Sequence, residues 1–258
     1  MVNSYHPHVQ EALPEPSIVF PTPLIEEKNF SENESDLKRN KKIVFEHGNV
    51  QVSLLTQATD REEVGHVIRF FEEIVTEQSW QSGDELRAYP DSSKYFVFKV
   101  GGCLAGALQL VTGNSDEGLP CLKVWPELGL HGRKDVADLA LIALRPEYRD
   151  RSQNSFWCLW MEAWRYGIHH NITEFWAEIT PRKHKIYWRM GLPLLIEGSL
   201  RVHWGAPSYP VKCSLETYAE NMKARSEKSQ IYKNIVTQMY RDQPHILNLL
   251  REPIETAA

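Results

Sequence analysis

Several things are missing from this 258-residue sequence, and each absence narrows the field. No apolar run approaches the eighteen or so residues of a membrane span, so no transmembrane segment is expected. The N-terminal MVNSYHPHVQEALPEP has no basic start followed by an apolar stretch, so no signal peptide is expected and the expected location is cytoplasmic. Basic residues are not in surplus: the net charge is −5, which gives no pull toward nucleic acid or an anionic membrane. Cysteine is sparse and scattered (Cys103, Cys121, Cys158, Cys213), in apolar surroundings, and no Cys/His spacing matches a zinc site. Free thiols in a reducing compartment, and no bound metal, are the expectation. Internal repeats and low-complexity tracts are also absent.

What remains is the composition of a soluble globular protein, 42% hydrophobic and 24% charged. Residues 1–40 are rich in Pro, Glu, Asn and Ser without periodicity and read as a flexible arm. Residues 43–55 alternate around His47-Gly48-Asn49, which predicts a hairpin. A helix is predicted from Asp60 to Glu77, with Val64, Val67, Ile68, Phe71, Ile74 and Val75 on one stripe. Residues 95–100 and 104–111 predict strands joined at Gly101-Gly102, followed by a long connection over 112–134. Val136–Leu144 is almost continuously apolar, as a central strand covered on both faces would be. Helix over 155–170, strand over 174–180, helix over 182–190 and strand over 192–204 complete the pattern, with Gly191 just past a helix end. After residue 210 the sequence becomes charged and helical in character, and 211–258 reads as a helical extension to a domain spanning 41–210. The implied architecture is α/β, in the α+β sense: a mixed twisted sheet with helices on both faces and parallel pairing of the strands at 136–144 and 174–180.

Two acids interrupt apolar strands. Asp138 sits in VADLALIAL and Glu178 in Trp-Ala-Glu-Ile-Thr. A carboxylate there is costly unless it is paired or useful. Either would take a proton from an amine or bind its charge; the alternative for each is a salt bridge with Arg145, Arg165 or Arg182. The histidine pair His169-His170, with His184 and His203, lacks metal-ligand spacing.

The order of strand, basic turn, aromatic-rich helix, strand and short basic helix over 136–192 resembles the core of the GNAT acyltransferase superfamily. Arg149 in the turn and Tyr187, four residues before Gly191, carry that resemblance. It implies a thioester donor, coenzyme A or the phosphopantetheine of acyl carrier protein, bound as co-substrate, with no permanently held cofactor. The donor's phosphate would lie at the helix start among Arg145, Arg149, Arg151, Ser152, Asn154 and Ser155. The family's glycines are Ser152 and Asn154 here, which suits a carrier-protein donor better than a tight pyrophosphate cradle. The resemblance also gives Tyr187 the role of protonating the departing thiolate, with Asp138 or Glu178 as the base.

The upstream half resembles acyl-homoserine-lactone synthases and the related long-chain N-acyl amino acid synthases. The lactone synthases have a Trp followed eleven positions later by an Asp, and Trp80 and Asp91 keep that spacing. Where that family has a strand arginine this chain has Gln109, and the helix arginine before the Trp is Arg69, one position out of register. Arg69, Trp80, Asp91, Trp160 and Trp176 are the expected substrate-binding residues. The aromatic set Phe156, Trp157, Trp160 and Trp164 would pack the core or line an acyl tunnel. The implied activity is transfer of a medium or long acyl chain to the amine of an amino acid or similar small molecule. An acetyl-coenzyme A-dependent N-acetyltransferase, and a catalytically silent binding module of the same fold, fit the same residues.

Overall fold

The computed structural model of the chain describes residues 42–47, 49–80, 85–113, 117–149 and 155–241. The N-terminal arm and everything after residue 241 lie outside them. Strands β1 (Lys42–His47) and β2 (Val50–Thr56) form the expected hairpin, and α1 (Arg61–Glu77) follows. Next come β3 (Ser93–Val100), β4 (Cys103–Thr112), β5 (Val136–Leu144), α2 (Ser155–His169), β6 (Glu174–Ile179) and α3 (Pro181–Arg189). The rest is β7 (Leu195–Ile196), β8 (Arg201–His203), β9 (Ala206–Ser214), α4 (Leu215–Ser226) and α5 (Gln230–Met239). The sheet runs β1-β2-β3-β4-β5-β6-β9-β7, with β8 also on the outer edge of β9.

Alternation sorts the side chains to two faces. Tyr95 and Val97 of β3, Ala107 of β4, and Leu141 and Ala143 of β5 pack under the apolar stripe of α1. Phe96, Phe98, Leu108, Leu110 and Ala137 face the other way, against α2, α4 and α5. Covered on both sides, β5 needs the almost continuous apolar run that made it legible. The one parallel contact, β5 with β6, is the strand–helix–strand unit expected from the sequence.

Helix boundaries have local causes. The α3 helix starts with Pro181 after Thr180, whose Oγ1 accepts from Lys183 N at 3.4 Å. It stops at Gly191, whose φ of +91° and closeness to Met222 and Arg225 exclude a side chain. Ser214 caps α4 through Thr217 N at 3.2 Å.

The segment 192–204 departs from expectation. Only Leu195–Ile196 and Arg201–His203 are strand, because Pro193 and Gly198 break the run. The long strand is β9, which crosses residue 210 and ends at Ser214. Pro210 is tolerated because its carbonyl accepts from Glu197 N at 3.0 Å, on the edge away from β6. Its missing N–H therefore removes nothing from the β6 ladder.

The α2 and α5 helices are locked by one buried carboxylate. Glu162, with 4% of its side chain exposed, accepts from Arg241 Nη1 at 2.7 Å and Nη2 at 3.0 Å, and from Arg165 Nη1 at 2.9 Å.

Candidate active site

The site begins where β5 and β6 part. They pair in parallel only over Val136↔Glu174, Ala137↔Phe175 and Asp138↔Trp176. Beyond that, β5 stays with β4 and β6 stays with β9, so the two strands splay. At the same point β4 and β5 slip register: Gln109 faces Leu141, but Val111 faces Asp138. Two residues of β5, Leu139 and Ala140, therefore lie opposite Leu110 alone, which makes a bulge and bends the strand. No residue of β5 beyond Asp138 pairs with β6.

A cavity of about 300 Å³ fills this gap and passes through the sheet. On the α1 side it is lined by Trp80, Glu178, His203 and Trp204; on the α2 side by Phe156, Trp160, Phe175, Tyr187, Leu192 and Val211. A more open hollow of about 280 Å³ shares Trp80, Phe156, Lys183 and Tyr187 with it and reaches Arg149.

Behind the cavity wall lies a buried acid. Asp138 is fully buried, and its Oδ2 accepts from Cys121 N at 2.9 Å. Burial pushes this carboxyl above the usual carboxylate range, against the hydrogen bonds from Cys121 and Glu178 and the nearby His203 charge. The Cys121 thiol is pushed up by burial and by the two acids, so it keeps its proton and donates to Asp138. Cys121 Sγ and the carboxylate oxygens of Asp138 and Glu178 lie within 4.8 Å of one another. With the thiol protonated, the trio is a hydrogen-bonded cluster.

The opposite wall carries Tyr187, stacked on Phe156 with ring centroids 5.4 Å apart. Burial pushes its phenol up to about 12, so it is neutral and able to donate. At the mouth, Lys183 Nζ lies 4.9 Å from the centre of the Trp80 ring. Burial and the charge of Arg149 lower its pKa. Trp204, at the tip of the β8–β9 hairpin, has φ +49° and its neighbour Gly205 has φ +79°. Positive φ at both positions suits a tight hairpin, but a bulky residue is strained there. That strain places an indole on the cavity wall, 6.2 Å from Trp80.

The expected site residues are thus partly gathered. Glu178, Tyr187, Trp80 and Trp160 line the cavity, and Asp138 backs it. Of the arginines that were the alternative partners of these acids, Arg165 pairs with Glu162 at 2.9 Å and Arg145 with Glu73 at 3.7 Å. Arg145 Nε also donates to Leu104 O, and Arg149 donates to Leu144 O and lies 3.8 Å from Glu77. Ser155 is buried at the start of α2, with no partner for its Oγ. Arg151, Ser152 and Asn154 lie outside the described residues.

Arg69 is exposed on α1 and Asp91 is exposed before β3; neither lines the cavity. Trp176 does not line the cavity: it lies opposite Asp138, where β5 and β6 are still paired, and packs with Leu119 and Cys121. Trp157 and Trp164 are core residues, the latter donating to Leu215 O at 3.1 Å. Cys121, Lys183, His203 and Trp204 were not foreseen. A Trp-Gly pair between two strand-like segments is the one signal that pointed to the hairpin tip.

A strongly twisted mixed sheet whose central parallel strands splay over a through-going cavity is the architecture of a GNAT-like acyltransferase. The chain belongs to the FeeM family of N-acyl amino acid synthases, whose model matches residues 43–214 and so ends with β9. It is an acyltransferase that moves an acyl group to an amine. Among solved structures it is similar to FeeM, an N-acyl amino acid synthase from uncultured soil microbes, at 17% identity and a TM-score of 0.52. That match covers 67% of this chain and 94% of the other. It is similar also to BjaI, a CoA-dependent acyl-homoserine lactone synthase solved with SAM and isopentyl-CoA, at 14% identity and a TM-score of 0.53, over 68% and 89% of the two chains. A third is MesI, another CoA-dependent acyl-homoserine lactone synthase, at 15% identity and 0.51, over 67% and 94%. No curated protein matches. Among the described residues no helix is long and apolar enough to cross a membrane.

Proposed function

We propose that the protein moves a medium or long acyl chain from acyl carrier protein or acyl-coenzyme A to the amine of an amino acid or similar small molecule. The observation that carries this reading is the cavity through the sheet, with Glu178 on one side of the gap and Tyr187 on the other. The donor enters over the start of α2. Its phosphate meets Arg149, Lys183 and the helix N-terminus at Ser155, with Arg145 nearby; Arg151, Ser152 and Asn154 stay candidates for the same role from the sequence alone. Its acyl chain lies between Phe156, Trp160 and Val211. The acceptor lies against Trp80, Trp204 and Glu178.

The amine nitrogen attacks the thioester carbon directly. The C–N bond forms and the C–S bond breaks. Backbone N–H groups of β5 at the bulge, past its last residue paired with β6, polarise the carbonyl. The amine proton passes to Glu178, which reaches the cavity where Asp138 does not. Tyr187 donates a hydrogen bond to the departing sulfur. A thiol has its pKa near 8.5 and this phenol about 12, so the phenol delivers its proton only as solvent returns one.

Mass spectrometry of the purified protein with an amino-acid pool, and acetyl to C16 donors on coenzyme A and on carrier protein, tests the reading. N-acyl products from C8–C16 donors support it. Preference for acetyl would make the protein an acetyltransferase, and no transfer from any donor would leave a binding module.

A further inference from the structure

Asp138 is the least accessible acid near the cavity, and the transfer chemistry described above does not use it. Its Oδ2 accepts from Cys121 N at 2.9 Å, and the Cys121 Sγ lies within 4.8 Å of its carboxylate. Its Oδ1 is buried and receives no hydrogen bond from the described residues. An oxygen of the Glu178 carboxyl lies within 4.8 Å of the Asp138 carboxylate, and that group supplies a donor only when it carries a proton. Two carboxylates this close in an apolar wall do not both stay charged.

We propose that Asp138 and Glu178 hold one proton between them, and that Cys121, fixing Asp138 through its N–H and its thiol, is the positioning residue of this pair. The groups facing Asp138 come from three elements: Cys121 from the loop before β5, Glu178 from β6 and His203 from β8. Glu178 meets the substrate, and Asp138 acts through it. Losing the shared proton turns the pair into a stronger base than an isolated carboxylate, at the expense of needing a higher pH. The loop over 112–134 thereby becomes part of the proton machinery, because its Cys121 sets the charge on Asp138.

The first test does not depend on any activity. Infrared spectra of the full-length protein, followed from pH 8 down to pH 5, should show the carbonyl band of a protonated carboxylic acid appear, and that band should be lost in both Asp138→Asn and Glu178→Gln. A band that persists in both variants, or is absent from the wild type, overturns the proposal.

The second test rests on the acyl-transfer reading and follows the acid limb of kcat/KM against pH. Asp138→Asn removes the like charge, so the limb should move down by about one unit or more. Cys121→Ala removes a donor to the anion, so the limb should move up, and Cys121→Ser, which keeps a donor, should restore it. Variants that lower rate or Tm without moving the limb would assign Asp138 and Cys121 to packing alone and overturn the proposal. If the band is present but no donor is turned over, the transfer reading fails while the shared proton stands. A thiolate-to-cobalt absorption on adding Co²⁺, lost in Cys121→Ser, would make the cluster a metal site and also overturn it.

Discussion

With the acyl chain placed as proposed, Trp160 closes its path, and Trp160→Ala should lengthen the chain that the protein prefers. The indole is 4% exposed and packs edge-on to Phe175 at 6.1 Å and to Tyr218 at 5.7 Å, so nothing behind it leaves room for more carbon. Removing it extends the cavity toward Tyr218. Each methylene newly buried contributes about 0.8 kcal/mol, or roughly fourfold in kcat/KM. Three methylenes amount to about 2.4 kcal/mol, so the preference for a longer over a shorter donor should rise several tens of fold. The substitution also costs stability, about 3–5 kcal/mol for a buried Trp. Thermal unfolding must therefore accompany the kinetics. Trp157→Ala is the control, because Trp157 is equally buried but does not line the cavity. The assay is kcat/KM across donors from C8 to C16 for the three proteins. An unchanged chain-length profile in a folded Trp160→Ala protein, or the same change in Trp157→Ala, would refute the placement of the acyl chain.

Arg149→Ala should raise the apparent donor KM by about tenfold, the low end of a charge-assisted contact, because the side chain is 39% exposed and screened. An unchanged KM for every thioester would count against the phosphate site. Tyr187→Phe should lower kcat and leave donor KM nearly unchanged, as loss of a contact made to the departing sulfur does; steady-state kinetics with a C12 donor reads this, and a pure KM effect would assign Tyr187 to binding. Arg241→Ala leaves Glu162 with Arg165 alone, so the loss should lie near the low end for breaking a buried pair, about 3 kcal/mol. For a chain of this size, calorimetry should show Tm lower by roughly 6–12 °C, and a shift under 2 °C would show that α5 is not held this way.

The parts of the fold that were legible in the sequence are those where local pattern and burial agree. Val136–Leu144 reads as a central strand because both its faces are covered, and α1 reads as a helix because one stripe alone is buried. Strand β9 was obscured by Pro210, which is harmless because its polar groups face the outer edge, where its carbonyl accepts from Glu197 N and no N–H is needed. Within the site, Asp138 and Glu178 stood out as charges on apolar strands, and Tyr187 through its offset from Gly191. Cys121 and Trp204 did not stand out, since a loop and a hairpin tip reach the cavity only through tertiary folding. Trp176 shares the face of Glu178 but sits two residues earlier on β6, where the strands are still paired, and only the tertiary fold shows where the gap opens. Arg69 and Asp91 were chosen by spacing, and spacing does not fix the direction of an exposed side chain.

A crystal structure with an unreactive thioether analogue of a C12 donor would show whether the thioester lies in the gap between β5 and β6 with the acyl chain on its α2 side. The analogue's carbonyl oxygen should lie at the backbone N–H groups of the β5 bulge, its sulfur beside Tyr187, and its chain against Phe156 and Trp160. A chain lying outside the sheet, or a sulfur on the Trp80 side of the gap, would contradict that placement.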